Sequence, residues 1–165
     1  MKSRLFLICL LLITTACGFH LRGSLQSDFN IANVYIQSSG ASKLEKEVKY
    51  QLSGAGVNLA SSAETASYVL NLKQESFEKT VLSVSAATGK VEEYQLVFKA
   101  KMDAVQSGGK TLARDDNIRT ARDFTFDEDA VLGKFSEETI IQEDLVRLAA
   151  NQVLRRLQAL AATNK

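Results

Sequence analysis

The chain has 165 residues, 20 Lys and Arg against 19 Asp and Glu for a formal net charge of +1, one His, two Cys, and neither Pro nor Trp. This balance gives no global attraction to nucleic acid or to anionic membranes, so any anionic ligand has to be met by a local basic patch. The one imidazole, His20, stands three residues from Cys17, and only two thiols occur, which argues against His-based triads and Cys–His nucleophiles and leaves too few ligands for the usual His/Cys transition-metal sites.

In chain order, Lys2 and Arg4 precede an apolar run from Leu5 to Ile13, followed by the small residues Thr14, Thr15 and Ala16 and then Cys17. This is the order of a secretory signal peptide, with cleavage expected after Ala16. The run is too short for a spanning helix, which needs about 20 residues. A core segment is the other reading, and charge followed by an apolar run is an unusual opening for a globular domain. Cleavage leaves residues 17–165 and takes the formal charge to −1 through loss of Lys2 and Arg4. It also removes Cys9, so Cys17 becomes the only thiol and no internal disulfide can form.

Residues 17–30 read as an N-terminal tether, 31–162 as one domain and 163–165 as a tail. Within the domain, Asn33-Val34-Tyr35-Ile36-Gln37 predicts a strand. Ser42-Lys43-Leu44-Glu45 then reads as a capping box, and Leu44, Val48 and Leu52 recur on one helical face, so a helix is predicted over 43–53. Residues 57–65 read as a short connection. Tyr68, Leu70 and Leu72 begin a strand that extends through Phe77 to Val84. After a turn at Ala87–Lys90, Tyr94, Leu96, Phe98, Ala100, Met102 and Ala104 occupy every second position, opposite Gln95, Val97, Lys99, Lys101 and Asp103. That alternation predicts a strand with one buried and one wet face. A turn at Ser107-Gly108-Gly109 leads to a polar strand over 110–126, so the three strands form an antiparallel meander. Asp127 to Phe135 reads as an acidic loop. Ser136 is the predicted cap of a helix over 137–161, with Ile141, Leu145, Ala149, Val153 and Leu157 in one row, widened by Leu148 and Leu160. The expected fold is α+β, a two-layer sandwich in the order β-α-β-β-β-α: a mainly antiparallel sheet with two helices packed on one face.

No Gly-rich phosphate loop precedes a helix. The acidic groups Asp115-Asp116 and Asp127-Glu128-Asp129 lack the spacing of a Ca²⁺ loop and read as solvated. The inventory predicts a protein without catalysis, cofactor or metal. Lys99, Lys101, Arg114, Arg119, Arg122 and Lys134 could contact lipid phosphates; from spacing alone, an ordinary solvated sheet face balanced by Asp103, Asp115 and Asp116 is favoured.

The small residues ending at Ala16, directly before Cys17, resemble the lipobox of bacterial lipoproteins, with Thr14 where Leu is usual. Lipid attachment at Cys17 is therefore expected; a cleaved signal without lipid is the alternative. The run Cys17-Gly18-Phe19-His20-Leu21-Arg22 resembles the start of mature members of the LptE family of lipopolysaccharide-assembly lipoproteins. Glu93-Tyr94-Gln95-Leu96, the Phe124–Phe126 segment, Leu132-Gly133-Lys134 and Gln152-Val153-Leu154-Arg155-Arg156-Leu157 extend the likeness along the chain. The resemblance implies a lipid-anchored protein on the periplasmic face of the outer membrane. It would plug the β-barrel protein LptD one to one, support barrel assembly and help deliver lipopolysaccharide to the outer leaflet, with no nucleic-acid partner. Gly18 after the anchor, rather than Asp, is consistent with outer-membrane sorting. The resemblance also carries lipopolysaccharide contact to Lys134. In the turn before the central strand the family has an Arg that this chain lacks, and Lys90 is its nearest basic neighbour. The other reading is a periplasmic lipoprotein subunit of a different lipid-transport or secretion complex.

Overall fold

The computed structural model describes residues 31–125 and 131–163. The predicted signal peptide, Ala16, Cys17, the tether and the acidic run Asp127–Asp129 lie outside them. Strand β1 (Asn33–Ser39) leads to helix α1 (Ser42–Gly54), a two-residue strand β2 (Asn58–Leu59), three long strands β3 (Tyr68–Val84), β4 (Val91–Gln106) and β5 (Lys110–Thr125), and helix α2 (Val131–Thr163). The sheet order is β2-β1-β3-β4-β5. β3, β4 and β5 form the expected antiparallel meander. β1 instead runs parallel to β3, with Val34 opposite Tyr68 and Ser39 opposite Lys73, and parallel to β2. The sheet is therefore mixed. A helix between two strands returns the chain to its starting end, which makes the next strand parallel. β2 was not expected, because two exposed residues carry no alternation to read.

The period-2 pattern of β4 sets the core. Leu96, Phe98, Ala100, Met102 and Ala104 are all buried, and Phe77 meets Phe98 edge-on with ring centroids 5.1 Å apart. Leu44, Val48 and Leu52 of α1 and the predicted row of α2 complete one continuous cluster. Leu148 does not join it: 49% of its surface is exposed, because it lies outside the stripe continued by Val146, Ala150 and Leu154. Val97 was expected on the wet face, yet it is buried there between Glu78 and Ala121 on the flanking strands. Long polar neighbours cover a small apolar side chain in this way.

Both helix starts differ from expectation. Ser42 does not cap α1; the cap residue is Ala41, which makes no side-chain hydrogen bond. The free N–H groups of Lys43 and Leu44 donate to the Glu75 carboxylate of β3, at 3.2 and 3.0 Å. A bulge delivers that carboxylate: Gln74 takes φ +54°, the strand register shifts between Lys73 and Ser76, and the Glu75 N–H bonds the Gly40 carbonyl at 2.8 Å. A bulge adds one residue and re-aims its neighbours, here turning a strand residue into a helix cap. Glu45, the other half of the expected box, accepts from Ser38 and Lys49 instead. Its carboxyl lies below the ordinary value, chiefly through the Lys49 hydrogen bond and then that of Ser38.

Helix α2 begins at Val131 rather than after Ser136, so the segment from Val131 to Phe135 is helical, and the helix extends through Thr163 of the expected tail. Ser is only mildly unfavourable inside a helix, and extending a formed helix costs far less than nucleating one. At 1.5 Å per residue its 33 residues span about 50 Å. It runs antiparallel to β5 and is pinned along its length. Lys79–Glu138 (2.8 Å), Arg122–Asp144 (2.7 Å) and Arg156–Asp116 are successive ion pairs, and the Thr120 hydroxyl donates to the Leu145 carbonyl at 2.9 Å.

Candidate functional surfaces

The face of the meander opposite the helices, uncovered among the described residues, carries three of the six basic residues singled out from spacing. Lys99 and Lys101 project there from β4, and Arg119 of β5 lies opposite Lys99. Arg122 does not join them. It sits opposite Leu96 on the helix-bearing side, paired with Asp144, and Arg114 is exposed near the bulge in β5. Much of the open face is internally neutralised. Lys99 pairs with Glu78 at 2.6 Å, and Lys73 bridges Asp103 (2.7 Å) and Asp115 (2.8 Å). Lys101 and Arg119 have no carboxylate partner among the described residues.

The Lys73 bridge locks two irregularities together. Asp115 takes φ +49°, and its N–H donates to Asp103 Oδ1 at 2.8 Å. Burial opposes charge on Asp103, but hydrogen bonds from Lys73 and the Asp115 N–H outweigh it, and the carboxyl lies below its ordinary value. The same contacts raise Lys73, first through Asp103 and then through Asp115. A depressed folded-state pKa stabilises the fold above the unfolded value, about 3.9, and that contribution is lost as pH falls through the folded value. The raised Lys73 contributes below its unfolded value, about 10.4, and is lost as pH rises through the folded one. Asp103→Asn is therefore expected to lower stability at neutral pH. Its deficit should shrink as pH falls below about 4, measured as urea midpoints of both proteins across pH. A deficit independent of pH would show that Asp103 acts by packing instead.

At the end of the sheet where β4 begins and β5 ends, Tyr94 stacks on Phe124 (centroids 5.8 Å apart), and Lys79 Nζ lies 4.5 and 5.2 Å from the two ring centroids. A recess of about 490 Å³ opens there, lined by Phe124, Ile140, Ile141, Arg122, Glu93 and Glu137. A second groove, of about 630 Å³, separates α1 from α2 over Phe77, with Lys43, Lys46, Tyr50, Val146 and Arg147 around it. Lys43 Nζ lies 5.2 Å from the Phe77 ring centroid. Among the described residues no group of three His, Cys, Asp or Glu is placed to hold a metal ion. The resolved carboxylate shifts, at Glu45, Glu64 and Asp103, are all downward, the direction of structural ion pairs and hydrogen bonds rather than of a general acid. No described helix is long and apolar enough to cross a membrane.

Of the two predicted lipid-contact residues, Lys90 lies in the β3–β4 hairpin turn, where its N–H donates to the Thr88 hydroxyl at 3.3 Å and its carbonyl accepts from the Ser85 N–H at 2.7 Å. Lys134 lies near the start of α2, not in a loop. Topology places both at the same end of the sheet, since β4 starts at Val91 and α2 follows the end of β5. The groove between the helices was not legible in the sequence, because nothing local indicates where α2 lands against α1.

A long half-covered sheet with both helices on one side is the architecture of several solved bacterial lipoprotein domains. The chain is similar to uncharacterized lipoprotein B from Nitrosomonas europaea, with a TM-score of 0.73 and 26% identity, covering 88% of this chain and 93% of that one. It also shares the fold of the rare lipoprotein B from Shewanella oneidensis, with a TM-score of 0.70 and 23% identity over 79% and 97% of the two chains. Among curated proteins, it is 30% identical to the LPS-assembly lipoprotein LptE of Pectobacterium atrosepticum, over 95% of this chain and 86% of that protein. It is 29% identical to the LptE of Photorhabdus laumondii, over 95% and 87%. The family model for LptE, described as lipopolysaccharide-assembly, matches residues 31–157. The chain belongs to the LptE family.

Proposed function

We propose that this protein is a lipid-anchored, non-catalytic plug on the periplasmic face of the outer membrane, seated in the barrel of LptD and assisting delivery of lipopolysaccharide to the outer leaflet. The observation that carries the reading is family membership across residues 31–157, the whole of the packed domain up to the last turns of α2. The architecture suits the role. The described residues leave one sheet face uncovered, and the meander strands of 16 or 17 residues extend about 55 Å at 3.3 Å per residue. In this reading residues 1–16 are removed after Ala16, Cys17 bears the lipid, and residues 17–30 tether the domain beginning at 31. Lys134 and Lys90, at one end of the sheet, meet lipopolysaccharide phosphates as point charges.

Pull-down from solubilised outer membranes is expected to recover a large β-barrel protein in about equal amount. Recovery of this chain without a barrel, or from the inner membrane with other subunits, overturns the plug role. For the lipid contact, Lys134→Ala is expected to weaken lipopolysaccharide binding several-fold while leaving the circular dichroism spectrum intact. Unchanged binding rejects that assignment.

A further inference from the structure

Two rows of the open sheet face set like charges directly opposite one another. Lys73 of β3 faces Lys101 of β4, and Lys99 of β4 faces Arg119 of β5. The four alternate with buried Leu72, Ala100, Met102 and Ile118, so all of them belong to the side away from the helices. Like charges in directly opposed positions weaken a ladder. Carboxylates relieve only two of the four: Glu78 pairs with Lys99, while Asp103 and Asp115 both go to Lys73. Asp123, farther along β5 past Ala121, accepts from Gln95 at 2.8 Å. The other neighbour of Lys101 is the neutral Asn117. Lys101 and Arg119 thus lie on a diagonal of the ladder, at positions about 7–8 Å apart, with no carboxylate on either among the described residues. The isolated domain gains no stability from this arrangement, whereas an apposed pair of carboxylates turns it into attraction.

We propose that this cationic diagonal is where the open sheet face docks on a protein wall: with the chain seated in its barrel, Asp or Glu side chains of the lumen meet Lys101 and Arg119. The inference rests on the plug reading and adds to it the face that touches the wall and the charge that the wall presents there. Charge pattern selects the occupant. The cationic rows are bounded by Asp103 and Asp115 at one end and by Asp123 at the other. A uniformly anionic surface, such as a sheet of phosphates, is attracted in the middle and repelled at both ends. Carboxylates placed singly in an otherwise neutral wall are not. A barrel lumen is polar, and every second residue of each of its strands points inward, so it can offer carboxylates at ladder spacing. Arg119 brings a planar fork that matches a carboxylate, and Lys101 a point charge. Beside them Val97 is buried and Ala121 is small, so the face stays low enough for a wall to approach. One chain has one such face, in keeping with one chain per barrel.

The test co-expresses the full chain with its barrel partner and compares two double variants of equal charge change. Lys101→Gln with Arg119→Gln is expected to lower the amount of barrel that co-purifies several-fold. Lys46→Gln with Arg155→Gln, at exposed positions of the two helices, should leave it unchanged. The unfolding midpoint of the Lys101→Gln, Arg119→Gln chain should equal or exceed that of the parent, because two like-charge oppositions are gone. A lower midpoint assigns the two cations to the fold and overturns the proposal. Carbodiimide joins a lysine amine to a carboxylate in contact with it. In the parent complex it is expected to link Lys101 to an Asp or Glu of the barrel, read by mass spectrometry. Barrel cross-links confined to helix-side lysines such as Lys46, or equal loss of barrel in both double variants, overturn this inference and leave the plug reading standing. So does weaker lipopolysaccharide binding by Lys101→Gln, Arg119→Gln with barrel recovery unchanged, which gives the face to lipid phosphates. A parent chain that recovers no barrel overturns both.

Discussion

Phe98→Ala is expected to destabilise the domain by about 3–5 kcal/mol, the range for truncating a buried aromatic side chain. Phe98 is fully buried at the middle of the central strand, where Phe77 meets it edge-on and α2 closes over the sheet. Truncation removes the transfer energy of the ring and leaves a cavity that strands held on both sides cannot collapse to fill. Natural domains are stable by only about 5–15 kcal/mol, so a loss of this size takes a large share of the total. Urea unfolding followed by circular dichroism checks it: the midpoint should fall with the slope unchanged. Tyr94→Ala provides the contrast. Its ring lies beyond the core, stacked on Phe124 and under Lys79, and the loss there should be clearly smaller. Equal losses at the two positions would mean that the hairpin end is packed as tightly as the centre.

Cys17→Ser is expected to abolish membrane anchorage. In the proposed mature form, without residues 1–16, Cys17 is the sole thiol, so no second thiol can take the lipid in its place. Each buried acyl CH₂ contributes about 0.8 kcal/mol to membrane binding, and removing the attachment atom removes that whole contribution. No described helix can replace it, and a near-neutral chain gains little from anionic headgroups. Labelled palmitate incorporation should vanish, and fractionation should move the protein cleaved after Ala16 from the membrane pellet to the soluble fraction. Retained label in Cys17→Ser would place the lipid elsewhere.

The sequence by itself determined which faces are buried. Period-2 alternation in β4 and the i+4 rows of Leu44–Leu52 and Ile141–Leu157 encode burial directly, because side-chain direction follows backbone period whatever the element packs against. From Leu96 to Ala104 and along both helical rows those positions form one cluster, whereas Tyr94, at the hairpin end, stays outside it. The residue inventory also narrowed the available chemistry, since it depends on residue type alone. Tertiary structure decided what depends on distant partners. The cap of α1 comes from Glu75, about thirty residues on, so the local Ser42–Glu45 signal lost to a carboxylate aimed by a bulge. The basic residues were divided between two faces by strand pairing, which put Arg122 beneath α2 and left Lys101 and Arg119 in the open. β1 became parallel because its neighbour in space is β3, across a helical crossover, rather than the next residues in the chain. Local periods fix orientation at each residue, whereas caps, ion pairs and free strand edges are set by which segments meet, and only the folded chain contains that information.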